Sequence, residues 1–167
     1  MNAMKEEDAA YRPARKRLRL PNFDYASPGA YFITVCTDQK RNLLSDVCRG
    51  GALLRPMGQM CQEQLLKMVA QYQIQMDNYV IMPNHVHLLL ALRRAEQSPA
   101  PTISEFICAW KSVTTKLANI RNKTLGAHLW QRSFYDHVIR NDVDYREIWN
   151  YIDQNPLRWE QDRFYIP

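Results

Sequence analysis

The chain has 167 residues, of which 46% are hydrophobic and 23% are charged, as expected of one soluble domain with an apolar core. Its 22 Lys and Arg residues against 17 Asp and Glu residues give a net charge of +5, which favours an anionic partner. This composition excludes collagen-like and wholly disordered chains, and no apolar run approaches the roughly 18 residues of a membrane span. A polar N-terminus unlike a secretory signal, and separated cysteines without a CxxC pattern, predict a cytoplasmic protein.

The beginning of the chain is rich in positive charge. Residues 1–20 are predicted to form a basic N-terminal arm, and residues 21–167 are predicted to form a single domain. Within the arm, the candidates for contact with phosphate groups are Arg12, Arg15, Lys16, Arg17 and Arg19. A solvated tail that only aids solubility explains the same charges equally well.

Hydrophobic periodicity and turn residues predict the secondary structure in chain order. The predicted elements are a strand over residues 31–37, a hairpin over 47–54, a helix over 57–72, strands over 76–82 and 85–92, a helix opening with a capping box at Thr102, a strand over 133–139, and a helix from 141 or 142 to 155. The last helix is expected to stop at Asn155, because Pro156 disfavours the helical conformation in the residue before it.

Apart from the hairpin and the last helix, this order is βαββαβ. It predicts a ferredoxin-like, or RRM-like, α+β domain with an antiparallel sheet and two helices on one face. One additional C-terminal helix is left over. In the second helix, the residues predicted to face the core are Ile103, Phe106, Ile107, Trp110, Val113, Leu117 and Ile120.

Two histidines lie two residues apart on the predicted strand over residues 85–92. Because side chains alternate along a strand, His85 and His87 are expected on one face, while Val86, Leu88 and Leu90 belong to the other. At about 3.3 Å per residue, two imidazoles at this spacing can share one metal ion. Two structural or solvent-exposed histidines also explain the pattern.

The last predicted helix has an apolar face with a polar edge. At about 100° per residue, the apolar face is predicted to consist of Tyr145, Ile148, Trp149 and Ile152. Tyr151 and Asn155 are four residues apart and lie one above the other at its border. This helix is expected to cover the side of the sheet that carries the histidines, because two other helices already cover the opposite side. Two imidazoles and an amide oxygen suit Mg²⁺ or Mn²⁺, although the residues alone also allow Tyr151 to be a structural aromatic.

Several sequence blocks carry a resemblance to a known family. They are RLP at residues 19–21 with GAYF at 29–32, PNHVH at 83–87, WQRSFYDH at 130–137, and YIDQNPLRW at 151–159. In this order, they resemble the blocks of the single-tyrosine HUH transposases, and they are most similar to those of the REP-associated tyrosine transposases. Ordered blocks are far more specific than any single motif.

The resemblance implies a role for each matched residue. The family's metal-binding histidine pair falls on His85 and His87. Its nucleophilic tyrosine falls on Tyr151, and its amide ligand falls on Asn155. The implied activity is metal-dependent nicking of single-stranded, hairpin-bearing DNA of the repetitive extragenic palindrome type, through a 5′-phosphotyrosine, with Mg²⁺ or Mn²⁺ as cofactor and strand transfer as the outcome. Relatives include monomers and homodimers, and the expected place of action is the nucleoid in the bacterial cytoplasm.

Further residues are candidates for contacts with DNA or for catalysis. Beside the cations of the arm, the candidates for binding DNA are Lys111, Lys116 and Arg132. Trp130 and Phe134 are candidates for stacking on bases, and a core position explains Trp130 equally well. Tyr135 is the rival nucleophile, but the resemblance favours Tyr151.

Two other functions fit parts of the sequence. A non-catalytic module that binds single-stranded nucleic acid on an RRM-like sheet would carry aromatic residues on its central strands. The strand over residues 85–92 offers histidines and aliphatic residues instead, which disfavours this alternative. A metal-dependent hydrolase would use water as its nucleophile and would need no tyrosine.

Overall fold

The computed structural model describes residues 28–48, 51–92 and 102–167, and the predicted basic arm lies outside these ranges. The strands are β1 (Gly29–Cys36), β2 (Ser45–Cys48), β3 (Gly51–Leu54), β4 (Gln75–Ile81), β5 (His85–Leu92) and β6 (Tyr135–Ile139). The α-helices are α1 (Pro56–Gln71), α2 (Ile103–Asn122) and α3 (Asp142–Gln154), and short 3-10 helices cover Asp38–Lys40 and Pro156–Gln161. Within the described ranges, no helix is both long enough and apolar enough to cross a membrane.

Four strands form one antiparallel sheet in the order β4-β5-β1-β6, and β2 pairs with β3 as a separate small hairpin. Leaving that hairpin aside, the chain order is β1-α1-β4-β5-α2-β6, with β1 and β5 in the interior of the sheet. This is the predicted ferredoxin-like arrangement, and α3 is the predicted additional helix. The α+β prediction is confirmed.

The pleat of the two interior strands separates the two faces of the sheet. On β1 the odd-numbered positions 31–35, and on β5 the even-numbered positions 86–90, are fully buried in the main core. The helices α1 and α2 complete this core with large side chains, among them Leu65, Phe106 and Trp110. The alternate positions of both strands therefore point to the opposite face.

The opposite face of the sheet is covered by α3. Ile148 and Ile152 of this helix pack against Leu89 of β5, and Phe32 of β1 lies beside them. The helix begins after Asn141, whose Oδ1 accepts hydrogen bonds from the next backbone N–H groups. It ends at Gln154, one residue before the predicted end, but Asn155 keeps helical backbone angles (φ −57°, ψ −44°), so the expected effect of Pro156 on this residue is not seen. Trp149, predicted on the apolar face, is 37% exposed. The expectation that the last helix lies on the histidine side is confirmed.

The second helix starts as predicted, but its buried stripe differs from the prediction. At its start, the capping box is formed by reciprocal hydrogen bonds between Thr102 and Glu105. The predicted buried residues are confirmed from Ile103 to Trp110. Further along the helix the prediction is wrong, since Val113 and Ile120 are exposed and the buried residues are Thr114 and Ala118.

The reason for this difference lies in a later loop. The ring of Trp130 lies 4.8 Å from that of Trp110, and its Nε1 donates to Thr114 Oγ1 at 2.8 Å. A small polar residue on the helix is therefore buried as the partner of a buried indole. The hydrophobic periodicity of α2 alone cannot predict a hydrogen bond to a residue outside the helix.

The strand predicted over residues 133–139 begins two residues late, at Tyr135. Lys111 of α2 donates from its ammonium group to the carbonyl oxygens of Gln131, Arg132 and Ser133, at 2.7 to 3.2 Å. Carbonyl groups that accept a hydrogen bond from a lysine in this way do not point toward a neighbouring strand, so they form no hydrogen bonds of a β-sheet. The contact therefore delays the start of β6.

Candidate active site

The two histidines of β5 lie side by side on the face of the sheet that α3 covers. His85 and His87 are fully buried, and their Nε2 atoms are 3.0 Å apart. Two neighbouring ligands of an octahedral ion, each about 2.1 Å from it, are separated by about 3.0 Å. The spacing of the two nitrogens is thus compatible with two adjacent ligands of one ion.

Each histidine is oriented by a hydrogen bond to its other ring nitrogen. Asn84 uses its Nδ2 to donate to two backbone carbonyl groups, so its Oδ1 accepts from Nδ1 of His85 at 2.9 Å. Thr34, directly opposite His87 in the β1–β5 register, places its hydroxyl 2.8 Å from His87 Nδ1. Nδ1 of His85 therefore carries the proton, and its Nε2 is left with a free lone pair.

Burial also determines the charge of the pair. It lowers the pKa of His85 well below the usual value, and the pKa of His87 is lowered by burial and by its neighbour His85. Both imidazoles are therefore neutral at physiological pH. The neutral form is the one that binds a metal ion.

The helix α3 brings Tyr151 to the histidines. Because Ile148 and Ile152 are anchored on the sheet, Tyr151 lies at the edge of the buried face, with 40% of its surface exposed. Its hydroxyl is 3.3 Å from His87 Nε2, and its ring meets that of Phe32 edge-on at 5.9 Å. The tyrosine and both histidines belong to the same chain.

Asn155, four residues after the tyrosine, points into the same site and is only 3% exposed. Its Nδ2 donates to Asp162 Oδ2 at 2.8 Å, whereas its Oδ1 is buried without a hydrogen-bond partner among the described residues. A buried acceptor of this kind carries a free-energy cost unless something binds it. An amide oxygen is a type of ligand that hard divalent cations bind.

Asp162 is a component of the site that the sequence did not predict. Its Oδ2 also accepts a hydrogen bond from the Tyr151 hydroxyl at 3.0 Å. Burial and the negative charge of Asp162 raise the pKa of Tyr151 to about 12. The residue follows the short helix Pro156–Gln161, and no motif or periodicity in this last stretch indicates that the chain returns to the site.

The site contains a set of side chains that can hold a metal ion. His85, His87 and Asp162 each offer a ligand atom, and these atoms lie within 4.8 Å of one another. The free Oδ1 of Asn155 belongs to the same site, since its amide contacts Asp162. Imidazole nitrogens with amide and carboxylate oxygens form a ligand set that suits Mn²⁺ and accepts Mg²⁺.

Three residues predicted to bind DNA lie together at a groove between α2 and the loop that follows it. The groove has a volume of about 870 Å³, and its basic lining consists of Lys111, Lys116, Lys123, His128 and Arg132. Lys116 and Arg132 are exposed, whereas Lys111 is held by backbone carbonyl groups. The predicted cations of the arm, from Arg12 to Arg19, lie outside the described residues.

The two aromatic residues considered for base stacking belong to the core. Trp130 and Phe134 are each only 4% exposed and pack in the main core. Their rings are therefore not accessible to bases, and the core alternative is right for Trp130. Burial of the indole is consistent with its hydrogen bond to Thr114.

The rival tyrosine lies on the same face of the sheet but makes other contacts. Tyr135 pairs with Thr34 across β1 and β6, and its ring lies 6.1 Å from that of Phe164. Tyr151 instead has its hydroxyl beside an imidazole nitrogen. His137 is engaged elsewhere, because its Nε2 forms a hydrogen bond with Asp144 Oδ2 at 2.9 Å.

Comparison with known proteins identifies the family of the chain. The family model described as "Transposase IS200 like" matches residues 30–155, which include both histidines, the tyrosine and the asparagine. An uncharacterized protein of Haemophilus influenzae is 31% identical over 91% of this chain and 93% of its own length. A REP-associated tyrosine transposase of Escherichia coli K12 is 25% identical over 80% of this chain and 70% of its own length.

A solved structure shares the fold. The structure of a REP-associated tyrosine transposase bound to a REP hairpin superposes with a TM-score of 0.61 at 24% identity, over 81% of this chain and 70% of that one. The family match spans the sheet and all three helices, and it includes His85, His87, Tyr151 and Asn155 but not Asp162. The chain therefore belongs to the IS200-like transposase family and is an enzyme of the tyrosine transposase type.

Proposed function

We propose that this transposase cuts single-stranded DNA with Tyr151 as its nucleophile, beside a divalent ion held by His85, His87 and Asn155. The observation that supports this most is the Tyr151 hydroxyl, 3.3 Å from one of two adjacent imidazole nitrogens. The hydroxyl therefore lies beside the atoms that would hold the ion and, through the ion, a phosphate group.

The proposed ion is Mg²⁺ or Mn²⁺. His85 and His87 would supply Nε2 atoms and Asn155 its Oδ1, and burial keeps the imidazoles in the neutral form that metal binding requires. When bound, the ion neutralises the charge that develops on the phosphate during attack. The chain itself supplies the orientation, because both rings and the tyrosine are held on rigid elements.

The reaction exchanges one phosphate ester for another. The Tyr151 oxygen attacks phosphorus as the phenol loses its proton, and the bond to the 3′ oxygen breaks. The products are a 5′-phosphotyrosine and a strand with a free 3′-hydroxyl, which takes up a proton. The new ester retains the free energy of the phosphodiester, so a second 3′-hydroxyl can reverse the attack. Strand transfer then needs no nucleotide cofactor.

We propose hairpin-bearing single-stranded DNA as the substrate, of the repetitive extragenic palindrome type. The groove beside α2 supports this, since exposed cations such as Lys116 and Arg132 at a concave surface suit the phosphates of a stem. The cations of the predicted arm, over residues 12–19, would add further phosphate contacts. We expect Lys111 to act mainly by shaping the loop that carries Arg132, because its ammonium group already has three acceptors.

The assembly and place of action are also part of the proposal. One chain supplies the tyrosine, the histidines and the asparagine, so a monomer is sufficient for the proposed site, and a homodimer would contain two such sites. We expect the enzyme to act on nucleoid DNA in the bacterial cytoplasm. The unit that acts is proposed to be the single domain over residues 21–167, with the arm over residues 1–20 ahead of it.

The non-catalytic alternative receives no support from the sheet. An RRM-like module needs exposed aromatic residues on its central strands. Here α1 and α2 cover one face of β1 and β5, and α3 covers the other, so Phe32 packs against the rings of Tyr151 and His87. A hydrolase that uses water is the competing enzyme, and it differs from the proposal in leaving no DNA attached to the protein.

The test is the detection of a covalent protein–DNA bond. The full chain is incubated with Mn²⁺ or Mg²⁺ and a 3′-end-labelled oligonucleotide that carries a palindromic hairpin with single-stranded flanks, and the products are separated on a denaturing gel. We expect a slow band that proteinase K converts to a short fragment, because the 3′ part of the strand stays joined to Tyr151. Tyr151→Phe should lose this band, and the matched control Tyr135→Phe should keep it.

Two results would contradict the proposal. Loss of the band in Tyr135→Phe with its retention in Tyr151→Phe would show that Tyr135 is the nucleophile. Cleavage by the wild-type protein without any attached DNA would favour the hydrolase.

A further inference from the structure

The last residues of the chain return over the two histidines. After the short helix Pro156–Gln161, the ring of Phe164 packs 4.7 Å from that of His85 and is only 4% exposed. Its carbonyl oxygen accepts from Asn84 Nδ2 at 2.8 Å, and Asn84 in turn holds His85 Nδ1. These contacts hold the segment that carries Asp162 against the site.

The carboxylate of Asp162 is arranged like a metal ligand. Its Oδ2 accepts from Tyr151 and from Asn155 Nδ2, and its Oδ1 accepts from the backbone N–H of Phe164 at 2.6 Å. A carboxylate has about four acceptor positions, so one position remains. One of its oxygens also belongs to the group of ligand atoms within 4.8 Å that includes both histidines.

The charges around the site favour a carboxylate ligand. Two neutral imidazoles and an amide carry no net charge, and hard divalent cations bind more tightly to sites with carboxylate oxygens. The nearby cations act against binding, since Arg163 lies 4.6 Å and Lys40 5.3 Å from the centre of the Phe164 ring that covers His85. Asp162 supplies a negative charge beside the ligands themselves.

We propose that Asp162 is a further ligand of the ion held by His85, His87 and Asn155, so that the end of the chain completes the metal site. This inference rests on the proposed metal site and adds a residue to it. It assigns two tasks to one side chain, since the same carboxylate holds the Tyr151 hydroxyl and the Asn155 amide in place. The C-terminal segment is then part of the active site.

The test is the affinity of the full chain for Mn²⁺, followed by the electron paramagnetic resonance signal of the free ion. We expect Asp162→Asn and Asp162→Ala each to weaken the affinity at least about tenfold, because removal of even an outer-shell partner of a metal ligand costs about 10- to 100-fold. Tyr151→Phe should stay within about twofold of the wild type, because it removes a partner of Asp162 and leaves the carboxylate. Asp153→Asn should also stay within about twofold, since it removes an exposed charge of α3 that contacts Asn78.

A second measurement uses the wild-type protein alone. In protein labelled with ¹³C-carboxylate aspartate, a directly bound carboxylate gives a resolved ¹³C hyperfine coupling to Mn²⁺, and we expect that coupling to vanish in Asp162→Ala. Wild-type affinity in both Asp162 variants, or no ¹³C coupling, would overturn the inference and leave the histidine site intact. If the wild type binds no Mn²⁺, or if His87→Ala binds it equally well, the proposed metal site itself fails, and the inference fails with it.

Discussion

The hydroxyl of Thr34 shows how a single buried group can support the site without contacting substrate. It lies 2.8 Å from Nδ1 of His87 and is almost fully buried between β1 and β5. A hydroxyl can donate or accept, so Thr34 can serve His87 with the ring proton on either nitrogen. When Nδ1 donates to the hydroxyl, Nε2 is free to bind a cation. The hydrogen-bond partner of Nδ1 thus helps to determine whether Nε2 of the same histidine can bind a metal ion.

Replacing Thr34 with valine tests this role. Thr34→Val keeps the shape and removes the hydrogen bond, so Nδ1 of His87 is left without its partner. We expect the affinity for Mn²⁺ to fall about tenfold, which is typical when a group that orients a metal-binding histidine is removed. The measurement is a Mn²⁺ titration, and the control is Thr124→Val, which removes an exposed hydroxyl bonded to Asn119. Equal affinities in the two variants would contradict the role of Thr34.

At the scale of elements, the position of Tyr151 depends on how α3 is held. The helix is joined to β6 by a short connection and is fixed on the sheet by Ile148 and Ile152. Its first turn is closed by Asn141, whose Oδ1 accepts from two backbone N–H groups at 2.9 and 3.0 Å. A second link is the hydrogen bond from the Tyr145 hydroxyl to Asp77 of β4. The tyrosine at the edge of the helix is thus positioned by contacts on either side of it.

Removing the cap of α3 should weaken the fold by a defined amount. In Asn141→Ala, the first backbone N–H groups lose their acceptor, and we expect the free energy of unfolding to fall by about 1 kcal/mol. Urea denaturation followed by circular dichroism measures this change. Asn141→Asp is the matched control, since a carboxylate also caps a helix and interacts favourably with its N-terminal end. An equal loss of stability in both variants would show that the cap is not the stabilising interaction.

At the scale of the whole molecule, the two proposed DNA-contacting regions lie on opposite layers. The helix α2, which lines the basic groove, packs on one face of the sheet, and α3 with Tyr151 packs on the other. The residues of the groove continue through the loop at 123–132 toward β6. A hairpin bound in the groove would therefore reach Tyr151 by way of a single strand that passes around the sheet.

This separation predicts that DNA affinity and metal affinity can be changed independently. We expect the double variant Lys116→Ala with Arg132→Ala to bind a hairpin oligonucleotide more weakly, with a salt dependence shallower by about 0.9 for each phosphate that the protein no longer neutralises. Its affinity for Mn²⁺ should equal that of the wild type. Fluorescence anisotropy at several salt concentrations measures the first effect. The control Lys67→Ala removes an exposed cation of α1 and should change neither the DNA affinity nor the Mn²⁺ affinity. An unchanged salt dependence in the double variant would contradict the proposal that the groove binds DNA.

The local pattern of the sequence predicted the elements well and their packing less well. Alternation along residues 85–92 placed both histidines on one face, and the capping box marked the start of α2. The errors share a cause, since each involves a contact with a distant part of the chain. Trp130 draws Thr114 into the core, and Lys111 turns three carbonyl groups away from the start of β6. Periodicity within one element carries no information about such contacts.

By itself, the sequence determined the βαββαβ order, the face of β5 that carries His85 and His87, and the helix that carries Tyr151 and Asn155, because each follows from periods of two or about four residues. Only the tertiary structure decided that these side chains meet, with imidazole nitrogens 3.0 Å apart and the tyrosine hydroxyl 3.3 Å away. It also decided that Asp162 joins them. The physical reason is that a site assembled from a sheet, a helix and a chain end depends on packing between elements, and that packing is determined by the core they share.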